Sequence, residues 1–391
     1  MVPPAIGKLI VLAIGTSMWI WMQSYVKIQV VLYGEKILTP KTRQEPFDFR
    51  NGSLGSHHFV NITGIQVHYV TKGCGRSNGG RAMLLLLHGF LDFWYIWNRQ
   101  IPILAQEFCV VAPDLRGYGV TTKPVDSAEY LMVKLVEDVK GLINALNAGK
   151  ARKVVLVGHD WGGMIAFCFA TLYEHMIQKM VIINGMHPLA FSKQLLRSLR
   201  QMRMSWYMIP FRHPVVPEQY LIMNDFAFFD KVHRGFTREE EDAHKYMFTP
   251  KGALTGAVNY YRAFNNDSDQ LKKINYQTIN VTTLILWGAQ DAFLTKPVAK
   301  FNREWLKTSG VVYYPMAGHW LLRECSTEVT ERIRTFARNG RVATQPSMTK
   351  WKGTRSNEGT CTESPTPGAS RLSTLFAWLP RNTSVPMFTQ E

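Results

Sequence analysis

A carboxylate stands at a predicted sharp turn in the segment VVLVGHDWGG, residues 154–163. The apolar run predicts a strand, and the pattern Gly-x-Asp-x-Gly around Asp160 predicts a strand-to-helix turn that presents a nucleophile. Gly158 and Gly162 suit such a turn, because neighbouring backbone passes close to the nucleophile and larger side chains would collide there. The segment therefore predicts a nucleophile elbow in which Asp160 takes the place more often held by Ser.

An aspartate at this position predicts a two-step hydrolysis. A carboxylate needs no base to become nucleophilic, and it attacks a saturated carbon to give an alkyl ester of Asp160. Water must then attack the carboxyl carbon of that ester. This second step requires a general base and an oxyanion hole.

The general base and its orienting acid are predicted after later strands. His319 lies in Gly318-His319-Trp320, just after an apolar run, and Asp291 ends the run LILWGAQD, residues 284–291. Taken alone, His319 could be a loop histidine and Asp291 a helix cap. Together with Asp160 they occur in the chain order nucleophile, acid, base that nucleophile-elbow triads follow, which favours the catalytic interpretation.

The oxyanion hole is predicted from two backbone amides. The run Leu84 to Leu87 leads into the turn His88-Gly89-Phe90, whose amide at Phe90 would supply one donor, and Trp161 would supply the other. His88 could serve as a second base, but a structural role is favoured at that position. Asp114, in APDLRGYG, is similarly expected to hold loops.

Six apolar runs of strand length alternate with helical patterns, which indicates an α/β fold with a mostly parallel central sheet and helices on both faces. Between Pro188 and about Asn280 the sequence becomes helical, aromatic and Met-rich, which predicts a helical cap inserted after the sixth strand. The predicted core is 55–187 with 281–339, and the predicted cap is 188–280. The runs are Ala82 to Leu87, Cys109 to Ala112, Lys153 to Val157, Met180 to Ile183, Thr283 to Trp287 and Val311 to Tyr314.

Composition excludes several classes of protein. The 391 residues are 46% hydrophobic, which excludes a largely disordered chain. A net charge of +16 is spread without a basic run or nucleic-acid motif, so a surface facing anionic lipid is favoured over nucleic acid as partner. The five cysteines form no CxxC pair, so neither a metal site nor a disulfide framework is predicted; they are Cys74, Cys109, Cys168, Cys325 and Cys361.

The apolar run from Leu9 to Met22, resumed at Ile28, predicts a single-pass membrane anchor within residues 1–40. A helix from about Ile6 that snorkels at Lys27 reaches the roughly 17 to 25 residues that suffice to span a bilayer. A cleaved signal peptide is the alternative, but the bulky Trp19 and Trp21 with no small-x-small site after them favour an uncleaved anchor. Basic residues follow the run while only Lys8 precedes it, which favours a cytosolic catalytic domain.

The opposite orientation would expose tripeptides of the form Asn-x-Ser/Thr to glycosylation, at Asn51, Asn61 and Asn280. At the other end, residues 340–391 are rich in Ser, Thr, Pro and Gly without periodicity, which predicts a disordered tail.

The motifs HGF, DLRGYG, GHDWGG, WGAQDAF and GHW, in this order, resemble those of the epoxide hydrolases of the α/β-hydrolase superfamily. The resemblance covers about Phe59 to Phe336 and is nearest the membrane-anchored epoxide hydrolase 3 and 4 subfamily. It implies an epoxide substrate, such as a fatty-acid epoxide, with water as co-substrate and no metal or organic cofactor. An endoplasmic reticulum membrane is the location that it implies.

The resemblance also implies two proton-donating tyrosines in the cap. Tyr207 in SWYMIPF and Tyr261 in NYYR match the family's positions, with Tyr260 as the competing neighbour. Departures from the family pattern are Leu91, where Pro is common after His-Gly-Phe, and Pro210 and Arg212 near the first tyrosine. Leu91 puts the direction of the Phe90 amide in question.

Two other functions fit part of this pattern. A haloalkane dehalogenase would share the aspartate nucleophile and the base and could bind halide through Trp161, but it needs no tyrosine proton donors. A non-catalytic binding protein would keep the pocket, although the complete triad argues against it.

Overall fold

The computed structural model describes residues 4–50, 52–75, 80–148, 150–266 and 274–341. Its centre is an eight-stranded sheet of order β1-β2-β4-β3-β5-β6-β7-β8. The pairs β1–β2 and β2–β4 are antiparallel, and the pairs from β4 through β8 are parallel. The strands are Ser56–Ile62 (β1), Ile65–Lys72 (β2), Met83–Leu87 (β3), Cys109–Pro113 (β4), Val154–His159 (β5), Ile177–Ile183 (β6), Thr283–Gly288 (β7) and Ser309–Tyr314 (β8).

The predicted α/β-hydrolase architecture is confirmed, and β3 to β8 coincide with the six apolar runs. Strands β3, β4 and β5 are buried along their whole length, which explains why each reads as an unbroken apolar run. The β1–β2 hairpin was not predicted. Most of β1 is exposed at the sheet edge, so it lacks the apolar run that marks the central strands.

Helices lie between these strands, and a helical segment is inserted between β6 and β7, as predicted. The helices outside that segment are Pro4–Tyr33 (α1), Ile101–Leu104 (α2), Met132–Asn147 (α3) and Trp161–Tyr173 (α4) before it, and Pro297–Asn302 (α10), Leu321–Glu324 (α11) and Ser326–Asn339 (α12) after it. The inserted helices, here called the cap, are Pro188–Arg197 (α5), Leu199–Met204 (α6), Val216–Val232 (α7), Arg238–Phe248 (α8) and Ala253–Asn266 (α9).

Helix α1 packs against the cap. Met22 and Val26 are buried, and Gly15 approaches the cap so closely that a Cβ there would lie 2.4 Å from Ile209 Cγ2. Within the described ranges, no helix combines the length and apolar character needed to cross a membrane. The predicted transmembrane anchor is therefore not supported. The predicted disordered tail lies outside the described residues from position 342 onwards.

The cysteine prediction was wrong, because Cys74 and Cys109 form a disulfide and Cys325 is disulfide-bonded as well. Antiparallel pairing sets Lys72 opposite Val110, and this register carries Cys74 beside the first residue of β4. The 35-residue separation hides the pairing from a search for closely spaced cysteines. Tertiary contact between β2 and β4, rather than spacing along the chain, brings the two thiols together.

Candidate active site

Asp160 lies at the turn between β5 and α4. Its backbone has φ 51° and ψ −116°, a conformation that costs a non-glycine residue free energy and that holds the carboxylate above the end of the sheet. The helix that follows passes very close to β3, because a Cβ added to Gly162 would lie 2.4 Å from the Leu87 carbonyl oxygen. Glycine at 162 therefore permits the elbow that the sequence predicts.

The three predicted triad residues come together at the carboxyl ends of neighbouring parallel strands. His319 follows β8 and Asp291 follows β7, and Nδ1 of His319 lies 2.8 Å from Asp291 Oδ2. The opposite ring nitrogen, Nε2, lies 3.4 Å from Asp160 Oδ2. One imidazole thus bridges the two carboxylates, with Asp160 on the pocket side and Asp291 behind it.

Asp291 is held on several sides. Its Oδ1 accepts hydrogen bonds from the amides of Phe293 and Leu294 at 2.7 and 2.9 Å, and its Oδ2 accepts one from Asn184 Nδ2 at 2.5 Å. Asn184 is buried, and its side-chain oxygen accepts a hydrogen bond from the Gly288 amide. Asn184 was not predicted from the sequence. Its position directly after β6 could have indicated it, because a polar residue there lies at the same sheet edge as the triad.

The charges of the site stabilise one another. Burial alone would lower the pKa of His319, but the Asp291 charge and hydrogen bonds to both carboxylates raise the pKa of His319 to about 10. Burial would raise the pKa of Asp160, yet hydrogen bonding and charge from His319 outweigh it and lower that pKa. The resting site therefore holds Asp160 as a carboxylate, the form that acts as a nucleophile.

Of the two residues predicted for the oxyanion hole, Phe90 contacts the Asp160 carboxylate directly. The Phe90 amide donates a hydrogen bond to Asp160 Oδ1 at 2.9 Å. Trp161 is the first residue of α4, where an amide has no acceptor within its own helix. Leu91, which stands where the family commonly has Pro, adopts φ 60°. The Phe90 amide nevertheless faces Asp160, so this substitution does not turn the amide away from the site. Gly89 is required beside them, because a Cβ there would lie 2.5 Å from Asp160 Cβ.

Tyr207 and Tyr261 line the same narrow pocket as Asp160 and His319. Their rings lie 5.5 Å apart, centroid to centroid, and meet edge to face at 83°. The Trp161 ring also packs against Tyr261, with centroids 5.2 Å apart. Burial, followed by the nearby charge of Asp160, raises the pKa of Tyr207, and burial raises that of Tyr261, so both phenols carry their protons at neutral pH.

The competing residues have structural partners. Tyr260 turns away from the pocket and donates its hydroxyl to the Arg116 carbonyl at 2.8 Å. His88 accepts a hydrogen bond from the Leu115 amide and contacts the Gly89 carbonyl. Asp114 accepts hydrogen bonds from the amide of Trp94 and from the loop amide at residue 120. Each holds a loop beside the site, as the sequence favours for His88 and Asp114.

A buried carboxylate behind the triad was not predicted. Oδ2 of Asp92 accepts a hydrogen bond from Trp320 Nε1 at 3.3 Å and lies 3.4 Å from His159 Nδ1. The other ring nitrogen of His159 donates to the His319 carbonyl at 3.0 Å, and His244 of the cap lies 3.4 Å from Asp92 Oδ1. Burial alone would raise the pKa of Asp92, but the neighbouring His159 and His244 side chains hold that pKa well below its usual range. The sequence feature that could have indicated Asp92 is a single carboxylate within the aromatic run LDFWYIW.

Asp92 is expected to position the base, because it contacts Trp320 directly and His319 through His159. Asp92→Asn keeps the shape but removes the charge that both histidines face. We expect it to slow breakdown of the covalent intermediate by about 10- to 100-fold, since small displacements of a catalytic group have effects of this size. Single-turnover kinetics measure that step. An unchanged breakdown rate in a variant of unchanged melting temperature would contradict the positioning role.

Comparisons with known proteins match the chain to one family and fold. A family model described as the alpha/beta hydrolase fold matches residues 82–324. The chain is 34% identical to human epoxide hydrolase 4 over 76% of this chain and 83% of that protein. It is 33% identical to Xenopus tropicalis epoxide hydrolase 3 over 74% of this chain and 80% of that one. The crystal structure of Bacillus megaterium epoxide hydrolase with an inhibitor matches with a TM-score of 0.64 at 29% identity, covering 71% of this chain and 99% of that chain.

Proposed function

The chain belongs to the epoxide hydrolases of the α/β-hydrolase superfamily, and from this we propose that it converts epoxides to vicinal diols through an ester of Asp160. One observation carries the proposal: Asp160 and the two tyrosines Tyr207 and Tyr261 line one pocket. An epoxide held there meets a nucleophile on one side and proton donors on the other. The proposed division of the chain gives the triad to the core, 55–187 and 281–339, and the tyrosines to the cap, 188–280.

In the first step, Asp160 Oδ2 attacks one ring carbon and the carbon–oxygen bond of the epoxide breaks. The departing oxygen gains negative charge, and the paired phenols of Tyr207 and Tyr261 stabilise it by hydrogen bonding and supply its proton. The aromatic walls of the pocket exclude water, which strengthens those hydrogen bonds. The product of this step is a hydroxyalkyl ester of Asp160.

In the second step, His319 takes a proton from water, which attacks the Asp160 carboxyl carbon. The carbonyl oxygen of the ester, formerly Oδ1, becomes an oxyanion that the Phe90 and Trp161 amides stabilise. Asp291 supports the charged imidazole through its 2.8 Å contact with Nδ1. Collapse of the tetrahedral intermediate releases the diol and restores the carboxylate.

Diol formation and halide release, measured side by side, test this function. The two tyrosines beside Asp160 favour epoxide opening over dehalogenation, because a halide leaves without needing a proton donor. We expect the purified protein to form diol from an epoxy fatty acid and to release little halide from a chloroalkane. Halide release without diol would establish the dehalogenase alternative. Folded protein that produces neither diol nor halide would support the binding-protein alternative.

The paired tyrosines are expected to act in the first step. Tyr207→Phe and Tyr261→Phe should each slow ester formation by about 100-fold, a typical contribution of a general acid, and the double variant should lose more. Rapid-quench measurement of the ester gives this rate. Tyr260→Phe is the matched control, because its hydroxyl bonds Arg116 outside the pocket and its loss should lower only stability. Equal slowing by all three variants would contradict specific proton donation.

The substrate is proposed to be an apolar lipid epoxide that reaches the enzyme at a lipid surface. The pocket is lined mainly by aromatic rings, which suit an alkyl chain. On α1, Ile28, Val31 and Leu32 share one helix face and are 55%, 83% and 64% exposed. Flotation with anionic vesicles tests whether this helix face binds lipid. The double variant Val31→Ser/Leu32→Ser should bind the vesicles more weakly, without a change in its turnover of a water-soluble epoxide. Flotation unaffected by these substitutions would remove α1 from the proposal.

A further inference from the structure

The Cys74–Cys109 disulfide bears on the compartment in which the protein folds. The two Cα atoms lie 4.4 Å apart across the β2–β4 ladder, within the range of natural disulfides. Cys325 is also disulfide-bonded. Disulfides form and persist in oxidising compartments and are rare in the cytosol, where thiols are kept reduced. The pairing thus opposes the cytosolic orientation that the charges flanking α1 favour.

The tripeptide Asn61-Ile62-Thr63 lies at an open position in the same part of the fold. Asn61 is exposed near the end of β1, which forms one edge of the sheet and pairs only with β2 among the described strands. Its neighbour Ile62 packs toward α3, where a Cβ on Gly141 would lie 3.2 Å from it. Side chains alternate along a strand, so Asn61 points away from α3. Phe59, on the same side of β1 as Asn61, is 54% exposed, so this face has room for a bulky group.

A second tripeptide, Asn280-Val281-Thr282, differs in its surroundings. Asn280 is exposed, but its Nδ2 donates a hydrogen bond to Glu174 at 3.2 Å, and its backbone amide bonds the same carboxylate. The Asn280 amide group is thus already part of a structural contact. Of these two described positions, Asn61 is the one where an added group would displace less.

We infer that the catalytic unit folds in an oxidising secretory compartment and carries an N-linked glycan at Asn61. The donor would be an oligosaccharide linked to a lipid pyrophosphate. A bond forms between Asn61 Nδ2 and C1 of the first sugar, the bond from C1 to the pyrophosphate oxygen breaks, and the amide proton leaves with the pyrophosphate lipid. The glycan would project from the sheet edge, away from the pocket formed at the carboxyl ends of β5, β7 and β8.

Expression of the full chain in cultured animal cells tests the glycan. Peptide-N-glycosidase should reduce the mass of the parent and convert Asn61 to Asp in its tryptic peptide. Asn61→Gln should lose one glycan and keep diol formation, whereas Asn280→Gln should retain the glycan at Asn61. An Asn61 peptide recovered unmodified from the parent would overturn the assignment.

Thiol labelling of the same cells tests the compartment independently. With alkylating reagent present at lysis, Cys74 and Cys109 should be labelled only after reduction. Labelling of both thiols without reduction would overturn the oxidising compartment, and with it the glycan. A formed disulfide beside an unmodified Asn61 would still overturn the modification site.

Discussion

Asp160→Ala is expected to abolish diol formation, with a loss of at least about 10⁴-fold in turnover, as is common when a catalytic nucleophile is removed. No other described carboxylate replaces it, because Asp291 lies behind His319 and its oxygens are occupied by Asn184 and two backbone amides. The variant should also form no covalent adduct. Steady-state diol production and intact-protein mass after mixing with substrate provide the two measurements.

A matched control separates chemistry from stability. Asp230→Asn removes an exposed carboxylate that pairs with Lys245 in the cap, and it should retain turnover. Removal of Asp160 should leave the fold in place, since the elbow glycines are unchanged and His319 keeps its 2.8 Å contact with Asp291. Diol formation by Asp160→Ala at a rate near that of the parent would refute the ester mechanism.

His319→Gln is expected to trap the ester. Attack by Asp160 on the epoxide does not use His319 as a base, so the first step should continue, whereas activation of water should be lost. Turnover should fall by about 10²- to 10⁴-fold, the range for general base catalysis. The measurement is the mass of the protein after mixing, with peptide mapping of the adduct to Asp160. Loss of turnover without a trapped adduct would show that His319 acts before ester formation.

The charge of Asp160 also sets the pH dependence. Ester formation removes one of the two carboxylates that raise the pKa of His319 to about 10, so the imidazole of the ester form should lose its proton more readily. Breakdown of the ester should therefore increase with pH, with an apparent pKa below about 10. In the resting enzyme the protonated His319 imidazole stabilises the fold. This contribution is fully present below about pH 6.5 and is lost as pH rises through about 10.

The sequence alone predicted those parts of the protein that depend on local pattern. Strands that are wholly or largely covered by helices read as apolar runs, so β3 to β8 and the insertion after β6 were identified. Asp160, Asp291 and His319 each follow such a run, and parallel strands bring their carboxyl ends to one edge of a sheet. Chain order was therefore sufficient to group three residues that are up to 159 positions apart.

Only the tertiary structure decided features that arise from contact between distant segments. The disulfide depends on β2–β4 register, and the exposed strand β1 has no apolar run to reveal it. Asn184 and Asp92 act through neighbours on other elements, so no spacing in the chain predicts their hydrogen bonds.

The choice between Tyr260 and Tyr261 shows the same division. Both lie in α9, one residue and thus about 100° apart, so the sequence places a tyrosine in the cap without fixing which one faces Asp160. The packing of α9 on the core decides it. The Arg116 carbonyl accepts the Tyr260 hydroxyl, whereas Phe90, Trp161 and Tyr207 surround Tyr261. Local pattern fixes residue types and the order of elements, and packing fixes which side chains meet, because contact depends on the relative rotation and register of elements far apart in the chain.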